Sequence, residues 1–499
     1  MTFMQKIFNE FEREGVEYAH FKSNCHLNDS FLGDGDFDVL VNSNKLYTAE
    51  RILSLHNGKR FNSFYYGRYP GVDNWLIFDE ETGDIRHFHL HCQIATGKAQ
   101  VKDYVIPWDK LILETRVKDP EWGIYITDPN LEILLLMVRL IVKSSLQDRT
   151  NAAMSKYSLH NDLYDEWISL HKVVDFNEVD NYIEKLFPKK YHSDVKTIVR
   201  TEDLSGHDYL LLNALVRSVL SDYRRVGGFT ASFNSLRQRV LMKCFRYRNN
   251  HYDSCHMIKK SGLGGGAIIA FVGVDGAGKS TTTKEIQKWL QKKIECHRFY
   301  MGEGDGKKGL FVTMLKKAKN VNNIQRIGSD KNTESGSAEK KLSGVALLKK
   351  YLRTKMILSL EKRNYKNMIR MNKYRLNGGV SLLDRYPQIE FAGCNDGPKL
   401  PITYKGYKKE KWMKKALSKE KSYLGVVRRI KPDIIFRLNI TAEESMRRKP
   451  EQTDIAEFQK KIDDLNKLTF QNSNIIDIDA SQSYDMELME IKKEIWACL

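Results

Sequence analysis

Residues Gly273 to Thr281 read G-V-D-G-A-G-K-S-T, directly after the apolar run Ala267, Ile268, Ile269, Ala270, Phe271 and Val272. An apolar strand ending in this glycine turn, with the spacing G-x-x-x-x-G-K-[ST], predicts a phosphate-binding loop that opens into a helix. Glycines let backbone N–H groups crowd around phosphate oxygens, and the helix start adds partial positive charge. Lys279 is expected to reach the β- and γ-phosphates, and the Ser280 hydroxyl to ligate Mg²⁺. Gly273, Asp275, Gly276, Ala277, Gly278, Lys279, Ser280 and Thr281 form the expected nucleotide-binding set. The following helix is supported by Ile286, Trp289, Leu290 and Ile294, which share one face at helical spacing. A surface glycine turn would not account for these flanks, so ATP with Mg²⁺ is the expected ligand.

With 499 residues the chain is too long for one ordinary core, and two or three domains are expected. Its 41% hydrophobic and 11% aromatic content are globular values. The longest apolar stretch, Leu131 to Val142, is interrupted by Glu132 and Arg139 and is too short to span a bilayer. No basic-then-apolar leader is visible at Met1 to Met4, and the seven cysteines contain no C-x-x-C pair. Reduced thiols and a cytoplasmic location are the expectation. The net charge of +18 invites a nucleic-acid reading, but the lysines cluster locally at 316–319, 340–341 and 408–415, and no nucleic-acid-binding motif accompanies them.

Three segments are expected. Residues 1–125 read as a small α/β domain: an opening helix (Phe3, Ile7, Phe8, Phe11), strands near Val16 to Phe21 and Phe37 to Val41, and a hairpin of Trp75 to Phe78 with Ile85 to Ile94. Residues 126–260 read as helical, starting at Asp128-Pro129-Asn130 and closing in a basic linker, Arg246 to Lys260, before the glycine-rich Ser261 to Gly266. Residues 262–499 read as the P-loop domain, with a polar insertion at about 307–341 and a long helix from about Val345 to Asn372. Strands at Val380 to Leu383, Ile434 to Leu438 and Ile475 to Ile478 alternate with helices, which implies a parallel sheet covered on both faces.

The strand Val380 to Leu383 delivers Asp384 and Arg385 at its C-terminal end, where ligands bind in open α/β sheets. A carboxylate there can hold Mg²⁺ through water or orient the attacking group, and an arginine can clamp a phosphate. Together with the glycine loop, the Asp384-Arg385-Tyr386 triplet and the segment Ile434 to Pro450 resemble thymidylate kinase and its nucleoside-monophosphate-kinase relatives over roughly residues 267 to 499. The resemblance implies that Asp275 meets the sugar of a phosphate acceptor and that Asp384 and Arg385 act at the acceptor phosphate. It also implies dimers, although the insertion would alter that surface. Thr441 and Glu444 have capping-box spacing, so a helix should start there and carry Arg447 and Arg448 towards the site. Some relatives place an arginine inside the loop; this chain has Gly276, so Arg447 and Arg448 are the candidates for closing over the transferring phosphoryl group. The segment Tyr300 to Gly306 keeps glycines but lacks the family's Arg-Glu-Pro, and Pro387 and Asn395 to Pro398 depart from the usual pattern. An altered acceptor pocket is expected.

Near the N-terminus, Gly33 to Val41 places Asp36 and Asp38 on one face of a strand, with Lys22-Ser23-Asn24 upstream. Two such carboxylates can share a divalent metal and position a triphosphate. This D-x-D strand resembles the polymerase-β-like nucleotidyltransferases over perhaps residues 1 to 145. The third carboxylate that the resemblance requires is not found. The neighbouring His87-Phe88-His89-Leu90-His91 offers three histidines that can complete a metal site, contact a phosphate, or form a polar hairpin edge. A further group, Cys244, His251, Cys255 and His256, fits no common zinc spacing and is read as a linker feature.

The expectation is therefore α/β throughout: a P-loop NTPase fold with a parallel sheet flanked by helices, preceded by a small nucleotidyltransferase-like domain and a helical region. Its expected activity is phosphotransfer from ATP to a nucleotide-like or sugar-like acceptor, with adjacency suggesting a second, nucleotidyltransferase step. The alternatives are an ATP-driven switch controlling the N-terminal domain and a protein that binds or modifies nucleic acid.

Overall fold

The computed structural model describes residues 1–63, 68–69, 71–154, 161–251, 254–302, 344–392, 396–400, 410–448 and 455–499. The insertion expected at 307–341 lies outside them, as do Asn395, Lys449 and Pro450. The chain divides into two compact units, Met1–Leu263 and Gly264–Leu499.

The first unit is built on a mixed sheet. Its strands are β1 (Tyr18–His20), β2 (Phe37–Val41), β3 (Lys59–Asn62), β4 (Val72–Asp79) and β5 (Asp84–His91), with the small pair β6 (Ile94–Thr96) and β7 (Tyr104–Ile106) outside it. The sheet continues through β8 (Val117–Lys118), β9 (Tyr125–Ile126) and β10 (Ser261–Gly262), in the order β10-β3-β4-β5-β2-β1-β9-β8. The first helix, Phe3–Arg13, is started by a reciprocal capping box between Thr2 and Gln5 and buries Met4, Ile7, Phe8 and Phe11. These pack with Phe37, Val39, Val41, Phe88 and Leu90 into one core. Because strand side chains alternate, that packing turns Asp38 on β2 and His87, His89 and His91 on β5 to the opposite sheet face.

The helical region begins at Pro129–Lys143, where Asp128 caps the Asn130 N–H and Pro129 occupies the first turn. This helix is apolar on every side because it is the centre of a bundle; Leu131 and Ile133 to Val138 are buried among Trp167, Val179, Ile183, Ile198 and Leu212. The expected basic linker differs from the structure at both ends. The helix Gly228–His251 runs well into it, and Ser261 and Gly262 pair antiparallel with Asn62 and Phe61 at the sheet edge. Backbone hydrogen bonding at these positions is invisible to a reading based on composition.

The second unit has a five-stranded sheet in the order β12-β13-β11-β14-β15: β11 (Ile268–Gly273), β12 (Cys296–Tyr300), β13 (Val380–Asp384), β14 (Ile434–Asn439) and β15 (Ile475–Asp479). All four pairings are parallel, as the alternating strand and helix pattern predicts. The long helix is Gly344–Leu376, stopping directly before Asn377-Gly378-Gly379, as expected from that glycine stop signal. The central strand β11 is apolar and buried from Ile268 to Val272, so its C-terminal end opens the loop beside the ends of β13 and β14. That is the position at which an open parallel sheet collects ligands.

Candidate functional site

The loop after β11 bends where only glycine is comfortable: Gly276 has φ +93° and Gly278 φ +87°. The helix Lys279–Gln291 then begins, directing its first N–H groups into the loop. Lys279 is 7% exposed, and its Nζ donates to the Gly273 carbonyl at 2.9 Å and the Val274 carbonyl at 2.7 Å. Burial, with Arg385 adding repulsion, pushes its pKa down to about 8. An anion placed in this loop would reverse that penalty.

Asp384 ends β13 and is 1% exposed. Its Oδ2 accepts from the Ser280 hydroxyl at 2.7 Å, and Arg298 Nη1 on β12 lies 3.6 Å away. Its Oδ1 is buried with no hydrogen-bond partner. A buried carboxylate with a free oxygen, beside a hydroxyl at the start of the loop helix, suits a Mg²⁺ ion that keeps several waters. Ser280 and Asp384 would hold it.

Arg385 turns out of β13 with φ +75°, a strained conformation for a side chain of this size. Its Nη2 donates to Asp275 Oδ1 at 2.9 Å, and Nη1 lies 3.6 Å from Asp396. Burial opposes its charge, but Asp396 and Asp275 outweigh burial and hold the guanidinium above its ordinary value. Among the family-based positions, Asp275, Lys279, Ser280, Asp384 and Arg385 come together at one end of the sheet.

Arg447 and Arg448 sit on the helix Ala442–Arg448, whose start is capped by Thr441 Oγ1 accepting from the Glu444 N–H at 3.2 Å. Both arginines donate to Glu444 Oε1 at 2.8 Å, and Arg448 also donates to the Ala480 carbonyl at 2.9 Å. The residue on this helix that touches the loop is Ser445, fully buried, whose hydroxyl donates to the Asp275 carbonyl at 2.7 Å. A Cβ added at Gly276 would lie 2.9 Å from Ser445 Oγ. Ser445, Arg298 and the Arg385 contact of Asp396 carry no local sequence signal; capping-box spacing locates the helix of the first but not its inward face. Beside the loop, a cleft of about 470 Å³ is lined by Val274, Asn439, Thr441, Gln459, Asp479 and Ser481, among others.

In the first unit, β2 and β5 run parallel with Asp38 opposite His89. β5 lies inside the sheet between β4 and β2, so the histidines are not the solvent-facing hairpin edge that was one of the expected alternatives. His87 is fully buried and His91 is 4% exposed. Burial holds His87 well below its ordinary pKa and pushes His91 down to about 4. Burial works against the Asp38 charge, but Lys22, whose Nζ is 2.9 Å away, and the histidines hold its pKa well below the usual carboxylate range. Asp36, His87 and His89 form one group able to hold a metal ion; Asp38, His89 and His91 form another. In the Cys244 region, His256 stacks on Phe245 and His251 on Tyr247.

No protein-family model matches the chain. It is 26% identical over 229 residues to the uncharacterized ATP-binding protein YghR of Escherichia coli K12, a match covering 46% of this chain and 86% of that protein. It is 28% identical over 237 residues to the uncharacterized ATP-binding protein YghS of the same strain, covering 46% of this chain and 93% of that protein. Among solved structures, a deoxyadenosine kinase from M. mycoides with bound dCTP matches at TM-score 0.25 and 15% identity, over 46% of this chain and 99% of that one. Those values are too low to establish a shared fold. No helix among the described residues is long and apolar enough to cross a membrane.

Proposed function

We propose that the second unit is an ATP-dependent phosphotransferase of the nucleoside-monophosphate-kinase type, moving the γ-phosphoryl of ATP to a nucleotide-like or sugar-like acceptor. The observation that carries this reading is the junction of Ser280, Asp384 and Arg385 at the strand ends beside the loop lysine. A plain ATP switch needs the first two of these; it has no use for a half-buried arginine presented towards Asp275 at the position an acceptor phosphate would take. The ATP-binding names of the two Escherichia coli relatives support the ligand.

In this reading the loop N–H groups and Lys279 neutralise the phosphates, with the Lys279 ammonium exchanging loop carbonyls for phosphate oxygens. A Mg²⁺ ion held by Ser280 and Asp384 would supply charge neutralisation for the phosphates. Asp384 fixes the Ser280 hydroxyl, and Arg385 orients the acceptor. Release of Arg447 or Arg448 from Glu444 would bring a further cation over the transferring group. In the first unit, the D-x-D strand supports a nucleotidyltransferase-like domain, with His89 opposite Asp38 where a third carboxylate is expected.

The test is phosphoryl transfer from labelled MgATP to dTMP, other nucleoside monophosphates, sugars and polyols, with Lys279→Ala as the control. Transfer to at least one acceptor, abolished in the control, is the expected result. ATP binding without transfer to any of these compounds would sink the reading.

A further inference from the structure

We propose that the β2–β5 face of the first unit is a binding site for one divalent first-row transition ion, held by Asp36, His87 and His89, and that it discriminates against Mg²⁺. This inference does not depend on the reaction assigned to either unit.

Two independent observations carry it. The first is the array itself. Side chains at i and i+2 on a strand share a face, so His87 and His89 are paired on β5, and parallel pairing with Asp38 opposite His89 brings the start of β2 alongside them. The ligand atoms of Asp36, His87 and His89 all lie within 4.8 Å of one another. Small adjustments would bring them to the ~2.0–2.2 Å bonds that imidazole and carboxylate make to such ions.

The second observation is the state of the buried ring nitrogens. His87 Nδ1 is buried and has no hydrogen bond, although it lies 2.9 Å from Asp36 Oδ1. Both ring nitrogens of His91 are likewise buried without hydrogen bonds, and Nε2 lies 3.4 Å from Asp38 Oδ1. Buried polar atoms left in this condition are costly, at roughly 1–3 kcal/mol each. Nitrogen and oxygen atoms about 3 Å apart without hydrogen-bond alignment have the spacing of neighbouring ligands on one cation. His87 Nε2 meets Asn74 Oδ1 at 3.1 Å, the outer-shell contact that fixes a ligating imidazole's tautomer.

The choice between the two groups follows from their outer contacts. Asn74 holds His87 Nε2 and leaves Nδ1 facing Asp36 Oδ1, whereas the Asp38 carboxylate is engaged by Lys22 at 2.9 Å and by His89 Nδ1 at 3.1 Å. The choice of ion follows from donor chemistry. Mg²⁺ prefers oxygen ligands in near-ideal octahedral geometry, whereas imidazole suits zinc and its neighbours. Two nitrogens and one carboxylate leave open positions for water or an anionic ligand.

The test uses the full chain, stripped with a chelator and dialysed against Zn²⁺ or Co²⁺ with excess Mg²⁺. Bound metal is measured by elemental analysis, and the Co²⁺ form by its visible absorption. One tightly held ion per chain is expected, unaffected by Mg²⁺ and retained in Asp384→Asn, which removes the carboxylate of the second unit. His89→Gln and Asp36→Asn are expected to weaken binding at least ~10-fold, and Asp38→Asn to weaken it less than Asp36→Asn does, since Asp38 meets His89 Nδ1 at 3.1 Å as an outer-shell partner. His89 is partly exposed, so its variant is expected to melt like the stripped wild type, which separates lost ligation from lost folding. Full occupancy in His89→Gln, displacement by Mg²⁺, or loss in Asp38→Asn with retention in Asp36→Asn would each overturn the assignment.

Discussion

The Ser280 hydroxyl donates to one oxygen of Asp384 at 2.7 Å, while the other oxygen of the same carboxylate is buried and unpartnered. The loop helix and the end of β13 are therefore tied together through the two groups that suit Mg²⁺. Asp384→Asn is expected to lower phosphoryl transfer at least ~100-fold, the scale seen when one preorganised charge-stabilising group is lost. Metal-free ATP binding should change much less, which equilibrium binding with and without Mg²⁺ would check.

Lys279 carries a pH signature. Its pKa of about 8 lies below the ordinary 10.5, so between those values the unfolded chain binds more protons and stability rises with pH. Bound phosphates favour the ammonium form and raise the pKa again. ATP binding should then take up protons above about pH 8, and affinity should fall as pH rises through that window. Calorimetry in buffers of different ionisation enthalpy reads the proton uptake; a Lys279→Met variant should lose it.

Arg385 pairs with Asp275 through one terminal nitrogen and approaches Asp396 with the other. Lysine keeps the charge but not the fork. Arg385→Lys is expected to raise KM for the acceptor about 10-fold or more, with little change in KM for ATP, by steady-state kinetics on whichever acceptor the panel identifies.

A fourth expectation concerns Glu132 in the first unit. It is buried, accepts from the Asn24 N–H at 3.0 Å and from Asn24 Nδ2 at 2.6 Å, and burial together with Glu166 pushes its pKa up to about 7. The folded chain thus holds a proton that the unfolded chain releases near pH 4.5, so stability from this residue is present below that value and lost as pH rises towards 7. Glu132→Gln should flatten that slope, a difference of roughly 2–3 kcal/mol at neutral pH, measured by denaturant titration of the first unit's transition at several pH values.

What the linear sequence made legible was local. The loop Gly273 to Thr281 announces itself because every residue that makes it is contiguous, and Asp384 with Arg385 because they terminate an apolar run. The shared face of His87, His89 and His91 follows from strand period alone. Their burial does not, since it depends on β5 pairing with β4 on one side and β2 on the other, and pairing is set by contacts distant in sequence. Ser445 reaches Asp275 across 170 residues, and Arg298 reaches Asp384 from a neighbouring strand; neither has a local pattern to mark it.

Gly276 is tested by alanine. Its φ of +93° and the approach of Ser445 Oγ should make Gly276→Ala unfavourable by about 1–3 kcal/mol and weaken ATP binding. Adding Ser445→Gly should recover the part due to crowding, not the part due to backbone strain, which thermal unfolding of the single and double variants would separate.

That crowding also couples two distant positions. A side chain at 276 requires Ser445 to withdraw, and Ser445 cannot withdraw without releasing the Asp275 carbonyl it now satisfies. A cation could therefore be placed inside the loop at 276 only together with a change at 445, so the serine of one helix governs what the loop can carry.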